Sequence, residues 1–163
     1  METVEQHVDL DEVLTMGAAQ AVLADWDGYF GATNNYLLYH ELERDRFIWL
    51  PWGIDQTMGI QDDIFNGAVY AIDHSGSWRP NGLLHRRCQA NVTCAARYLE
   101  KVEEAVDAFE ALDLEASLDA LYAKIEAAAF DDPDFDDAAF MDAVEDLRTF
   151  IRERHAAVRA ELP

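Results

Sequence analysis

Apolar and small residues at Leu10, Val13, Leu14, Gly17, Ala18, Ala21 and Val22 recur on one face of a 3.6-residue period, which predicts an amphipathic helix from Leu10 to Leu23. Asp9 or Asp11 stands where a side chain can cap its first turn. The period then changes. Between Asn35 and Glu41, Tyr36, Leu38 and His40 alternate with Leu37 and Tyr39, and aromatic and β-branched residues resume from Arg46 to Leu50 after a polar turn, Leu42 to Asp45. This predicts a β-hairpin whose second strand ends at Pro51. From Trp52 to Gly82 glycines recur at 53, 59, 67, 76 and 82, so that stretch reads as loop, and a loop of that length is usually functional or disordered.

From Leu83 onward the helical period returns in three stripes. Ala95, Tyr98, Leu99, Val102, Val106, Phe109 and Leu112 form the first, and Leu114, Leu118, Leu121, Ile125 and Ala128 the second. Phe140, Val144, Leu147, Ile151 and Val158 form the third, after the breaker Pro133. These faces are expected to pack on each other or on the hairpin. No internal repeat relates them. The fold class expected is α+β, mainly α. It is read as one domain over 1–163, with a helix and hairpin in 1–60 and a helical tail in 83–163.

Composition narrows the function classes. At 163 residues, half of them hydrophobic, the chain has enough apolar surface for one core. Its 33 acidic against 12 basic residues give a net charge of −21, spread about evenly over both halves. Such a surface repels a phosphate backbone, so nucleic acid is not an expected partner. Aspartate outnumbers glutamate and lysine occurs only at Lys101 and Lys124, a composition suited to a salt-rich medium that screens self-repulsion. Residues Met1 to Glu12 lack the pattern of a secretion signal, and no run approaches the length of a membrane span.

Cys88 and Cys94 lie six residues apart, which on a continuous helix is about 9 Å of rise, too far for a disulfide. Either the helix breaks between them, for which Asn91 and Thr93 are suitable residues, or both remain reduced thiols.

The chemistry is concentrated between Asp25 and Gly59. The segments are Asp25-Trp26-Asp27-Gly28-Tyr29, Asn34-Asn35-Tyr36-Leu37-Leu38-Tyr39, and Leu50-Pro51-Trp52-Gly53-Ile54-Asp55-Gln56-Thr57-Met58-Gly59. A hairpin returns the chain on itself, so the loop before its first strand and the loop after its second share one end of the ladder. Asp27, Asn35 and Asp55 are therefore expected to converge. Two carboxylates and an amide oxygen suit a hard divalent cation, and phosphoryl transfer needs the same set plus a base for the attacking hydroxyl.

The Asp-Gly-Tyr, Asn-Asn-Tyr-x-Leu-Tyr and Pro-Trp-x-x-Asp-x-x-x-Gly segments, followed by a helical tail, resemble the C-terminal part of spore coat protein H (CotH) family proteins. These are atypical kinases with a protein-kinase-like fold that use ATP and a divalent metal to phosphorylate proteins. The resemblance implies a kinase-like C-terminal lobe in which Asp27 is the catalytic-loop aspartate. It implies Asn35, with Asn34, as the metal-coordinating amide, and Asp55 in the metal-binding turn. Mg2+ is the implied ion, with Ca2+ or Mn2+ as substitutes. ATP would serve only the complete protein, the partner would be a protein substrate, and the location exported or cell-surface. Two departures stand out. Gly53 occupies a place where many members carry Asp, and a nucleotide-anchoring lysine on an N-terminal lobe is not found, since Lys101 and Lys124 fall in the tail. Isolated, this lobe is expected to be inactive. The alternative is a non-catalytic coat or surface protein with a structural Ca2+ or Mg2+ site.

Other features read as structural. Trp26, Tyr29, Tyr36, Trp49 and Trp52 are expected to pack around the hairpin, and His40 to sit on a strand surface. Asp62 and Asp63 are candidates for extending the metal site, and His74 is unassigned. The acidic run 131–137 departs from the calcium-loop template and suits a helix N-terminus, with Arg148, Arg152, Arg154 and Arg159 complementing the dipole at the other end.

Overall fold

A computed structural model describes residues 2–59 and 82–163. A helical turn, α1 (Glu2–Glu5), leads into α2 (Leu10–Val22), and the antiparallel strands β1 (Tyr36–Glu41) and β2 (Arg46–Pro51) follow. The tail comprises α3 (Leu83–Gln89), α4 (Val92–Ala111), α5 (Leu114–Phe130) and α6 (Asp137–Glu161). The described chain is thus α+β and mainly helical, as its periodicities require. None of its described helices is long and apolar enough to cross a membrane. The assignments to Asp62, Asp63, His74 and most of the loop after Trp52 lie outside the described residues.

Helix α2 begins where Asp9 caps it by accepting from the Glu12 N–H, and it buries the predicted face. Val13, Leu14, Ala18 and Val22 meet Tyr98, Val102 and Val106 of α4 and Val158 of α6 in one apolar cluster. Tyr29 and Phe30 enter it from the loop after α2, and the half-buried Tyr36 and Trp49 of the hairpin rest on Tyr29 at ring distances of 4.9 and 5.7 Å. The hairpin pairs Tyr36 with Pro51 through Glu41 with Arg46. Trp52 N–H donates to Asn35 O at 2.9 Å, so the ladder's bonded pairs fall at the odd positions of β1. Pro51, which has no N–H to give, therefore sits at a position turned away from β1. Phe47, also turned away, donates its N–H to His7 O at 2.7 Å, tying this edge of β2 to the segment before α2.

The helix does break between the cysteines. Asn91 accepts from the Cys94 N–H at 3.0 Å as N-cap of α4, and the turn brings the two alpha carbons to 5.0 Å, where the Cys88–Cys94 disulfide closes. The chain there is disulfide-bonded, and the open choice resolves in favour of the bridge.

Two expectations are corrected, on Trp52 and on the tail arginines. The second stripe packs on another helix as expected, chiefly on α6, and reaches the core only through Leu114; α5 has no buried residue, and Leu121 and Ile125 are half or more exposed. The α5–α6 hairpin instead holds a side cluster of Tyr122, Phe130, Phe135 and Phe140. Trp52 is 64% exposed and packs in no core. The tail arginines mostly do not serve their own helix dipole. Arg148 pairs with Asp119, Arg152 with Glu115 at 2.6 Å, and Arg159 with Asp107 and Glu110 at 2.6 and 2.8 Å, so each links α6 to a neighbouring helix. Only Arg159 lies in the last turn. Asp136, from the acidic run, caps α6 through the Ala139 N–H as expected.

Candidate functional site

The site begins where α2 ends. Ala24 adopts φ 54°, which lets its N–H reach Ala21 O and sends the Asp25 N–H back to Gln20 O at 2.8 Å. This is the Schellman closure, built on alanine where glycine is usual. It turns the chain sharply into Asp25-Trp26-Asp27-Gly28. The loop then curls on itself, with Ala32 N–H on Trp26 O at 2.9 Å and Thr33 N–H on Gly28 O at 3.0 Å.

Positive φ at Thr33 and Asn35 (62° and 45°) turns the returning chain toward Asp27. For a β-branched threonine that conformation is strained, a kind of strain concentrated at functional sites. Asn34 Nδ2 lies 3.3 Å from both Asp27 carboxylate oxygens, and Asn35 Nδ2 donates to Asp27 Oδ2 at 2.8 Å. Beyond the second strand, Gly53 takes φ 58° beneath Asn35. A Cβ at Gly53 would stand 3.5 Å from Asn35 Oδ1 and 3.7 Å from Asp55 Oδ1. The structure therefore gathers Asp27, Asn34, Asn35 and Asp55 at one end of the hairpin. Asp27 and Asn35 are half-buried, Asn34 and Asp55 exposed.

These donors suit a hard cation. Asn35 spends its amide N–H on Asp27, which leaves Oδ1 on the side where Asp55 Oδ1 also lies. Among the described residues no group of three or more His, Cys, Asp or Glu is arranged as a metal cluster, so the oxygens that meet over Gly53 are one amide and one carboxylate. Gln56 Nε2 donates to Asp55 Oδ2 at 3.2 Å. Leu23 O accepts the Met58 N–H at 2.7 Å, anchoring the segment after Asp55 to the end of α2.

Sequence reasoning passed over Asp25 and Gln20. Asp25 is 2% exposed, and burial pushes its carboxyl up to about 6, with the nearby Asp27 and Asp55 charges adding to the rise and hydrogen bonds from Gln20 and the Asp27 N–H opposing it. Gln20, 4% exposed, accepts the Phe30 N–H on Oε1 at 3.3 Å. The signal was present: a glutamine on the core-facing side of α2, one turn before an Asp-x-Asp-Gly. His40, read as a strand-surface residue, pairs with Asp45 at 2.8 Å in the hairpin turn and stacks on Phe47.

The CotH kinase protein family matches residues 1–158, nearly the whole chain, and the chain belongs to that family. A search of the curated proteins finds no match.

Proposed function

We propose that this chain is the metal-binding, catalytic-loop lobe of a CotH-like atypical protein kinase, which transfers phosphate from ATP to protein hydroxyls. The observation that carries the reading is that Asn35 donates to Asp27 while its Oδ1 and the Asp55 Oδ1 meet beside Gly53. Asp27 would orient the substrate hydroxyl and take its proton as that oxygen bonds to the terminal phosphorus and ADP departs. Asn35 and Asp55, assisted by Asn34, would hold Mg2+, or Ca2+ or Mn2+ in its place. A bound cation neutralises phosphate charge in such chemistry. The amides of Asn34 and Asn35 fix the rotamer of Asp27, and α2 and the hairpin hold the two loops at one end.

Gly53 favours a second reading, in which the site holds Ca2+ or Mg2+ for structure and the protein is a non-catalytic coat or surface component. The point next to Asn35 and Asp55 carries no carboxylate of its own. Lys101 pairs with Glu104 on α4 at 2.7 Å and Lys124 lies on α5, so neither lysine belongs to the loop that carries Asp27. The chain on its own should bind Mg2+ weakly and ATP hardly at all.

Calorimetric titration with Mg2+ tests the site. Gly53→Asp places a carboxylate in open contact distance of Asn35 and Asp55, at a positive φ that aspartate tolerates, and should raise affinity about tenfold or more. Asp55→Asn should lower it. Unchanged affinity in both variants overturns the site. Phosphotransfer from ATP by this lobe joined to a nucleotide-anchoring lobe, lost in Asp27→Asn, separates the kinase reading from the structural one.

A further inference from the structure

Gln20 touches both sides of the loop that carries Asp27. Its main-chain carbonyl takes the Asp25 N–H at 2.8 Å, and its side-chain Oε1 takes the Phe30 N–H at 3.3 Å. Its Nε2 and the Asp25 Oδ2 lie 2.1 and 2.6 Å from the point where a Gly28 Cβ would stand. Only glycine at 28 lets this amide and this carboxyl come so near the loop backbone. The Asp27 main chain and the Gln20 side chain both act on the Asp25 carboxyl, opposing the rise that burial causes. One residue of a rigid helix thus meets the loop at 25 through its main chain and at 28 and 30 through its buried side chain, positions that bracket Asp27. A polar group this buried is retained at a cost unless its bonds are made, and the side-chain bond that Gln20 makes is the one from Phe30 N–H to Oε1.

We propose that Gln20, acting through the Asp25 carboxyl and the Phe30 amide, is the positioning residue that fixes where Asp27 stands relative to Asn35 and Asp55. The proposal rests on the reading of Asp27 as the hydroxyl-orienting group. Gln20 itself lies beneath the loop, buried and bonded to main chain, and its effect on the reaction passes entirely through Asp27. Neighbouring positions of α2 serve packing instead, since Gly17 faces the Phe30 ring and Ala18, Ala21 and Val22 fill the core.

Amide hydrogen exchange on the 163-residue chain tests it without requiring activity. Gln20→Ala should speed exchange at the Asp27 and Phe30 amides about tenfold while the amides of α4 stay within about twofold of wild type. Gln20→Glu sets two carboxyls face to face and should loosen the Asp27 amide similarly. Adding Asp25→Asn to it swaps amide and carboxyl between the two positions and should restore protection to within about twofold. Unchanged exchange in folded Gln20→Ala overturns the proposal, as does a uniform rise that includes α4, or a double variant no better than Gln20→Glu. In a phosphotransfer assay of this lobe joined to a nucleotide-anchoring lobe, the same three variants should lower kcat about tenfold, lower it, and restore it, with KM for ATP held within about twofold. A wild-type protein that transfers no phosphate refutes the kinase reading alone, because the exchange pattern still decides whether Gln20 sets the loop.

Discussion

Arg154 of α6 donates from Nε to the carbonyl of Val22 at 2.7 Å and from Nη2 to that of Ala21, across more than 130 residues of sequence. Arg154 is 3% exposed, and its guanidinium lies 5.4 Å from the centre of the Phe150 ring. The last carbonyls of α2 have no helical partner and carry the negative end of its dipole, so a buried cation there meets both needs. Gln20 O takes Asp25 and Leu23 O takes Met58. The end of α2 therefore joins the loop carrying Asp27, the segment after Asp55 and the tail helix.

Arg154→Met removes both donors, leaving the buried Val22 carbonyl unsatisfied and Ala21 O with only the Ala24 N–H, which should cost about 1–3 kcal/mol. Arg154→Lys keeps the charge but not the planar fork and should cost less. Chemical denaturation of the two variants checks the order. Equal stability of wild type and Arg154→Met would show that Arg154 does not hold the end of α2.

Much of this architecture was legible in the sequence. The period over Leu10 to Leu23, the alternation over Tyr36 to Leu50 and the Asn91 break each encode local geometry, and local geometry is what spacing reports. Arg154 was not legible, because its partners are main-chain carbonyls far away in sequence, and an arginine near a helix end has the same pattern whether it serves its own dipole or another helix's. The stripe on α5 packs on α6 as its period predicts, but how deeply it is covered was not legible. Periodicity says a face is apolar, not that anything covers it, and here Leu121 and Ile125 remain exposed. At the site the side chains of Asp27, Asn35 and Asp55 announce chemistry by type. Gln20 and Asp25 act on backbone, and nothing in spacing distinguishes them from a cap or a turn.

Gly17 faces the Phe30 ring so closely that a Cβ would fall 2.0 Å from the nearest ring carbon. Gly17→Ala should gain about 1 kcal/mol of helix propensity and lose about 1–3 kcal/mol to overpacking of a buried aromatic. The expected net result is a lower midpoint in thermal unfolding. Since Phe30 ends the loop that carries Asp27, exchange at its amide should rise too. A stabilised Gly17→Ala variant would mean the ring moves aside freely.

The Cys88–Cys94 bridge closes a short loop between α3 and α4 with both sulfurs buried. Constraining so short a loop in the unfolded chain is worth about 2 kcal/mol. The paired variant Cys88→Ser/Cys94→Ser should unfold at correspondingly lower denaturant. Alkylation of the untreated, unfolded protein should label neither cysteine, and labelling of both would show reduced thiols.

With 33 acids and 12 bases, at most a minority of carboxylates can be paired, and the ion pairs seen at Arg97, Arg148, Arg152 and Arg159 are already made by the available cations. Raising salt weakens those exposed pairs, each worth at most about 1 kcal/mol, but relieves repulsion among all the remaining acids. The second effect should win. The thermal midpoint should climb as salt rises from about 0.1 M to about 1 M, where the screening length falls from about 10 Å to about 3 Å. A flat or falling midpoint would show that repulsion does not limit stability.

Asp25 gives the fold a pH dependence of its own. Its carboxyl titrates at 3.8 in an unperturbed chain and at about 6 in the folded one, chiefly because burial disfavours the charge. Between these values the folded protein keeps a proton that the unfolded chain has released, so this group's contribution to stability is full below about pH 4 and is lost as pH rises through about 6. The loss amounts to about 1–3 kcal/mol, flat again above that range. Asp25→Asn cannot ionise and should show no such loss. The difference in unfolding free energy, variant minus wild type, should therefore rise between pH 4 and pH 7 and level off beyond, as read by urea denaturation at a series of pH values. A constant difference across that range would mean that Asp25 ionises as easily in the fold as in the open chain.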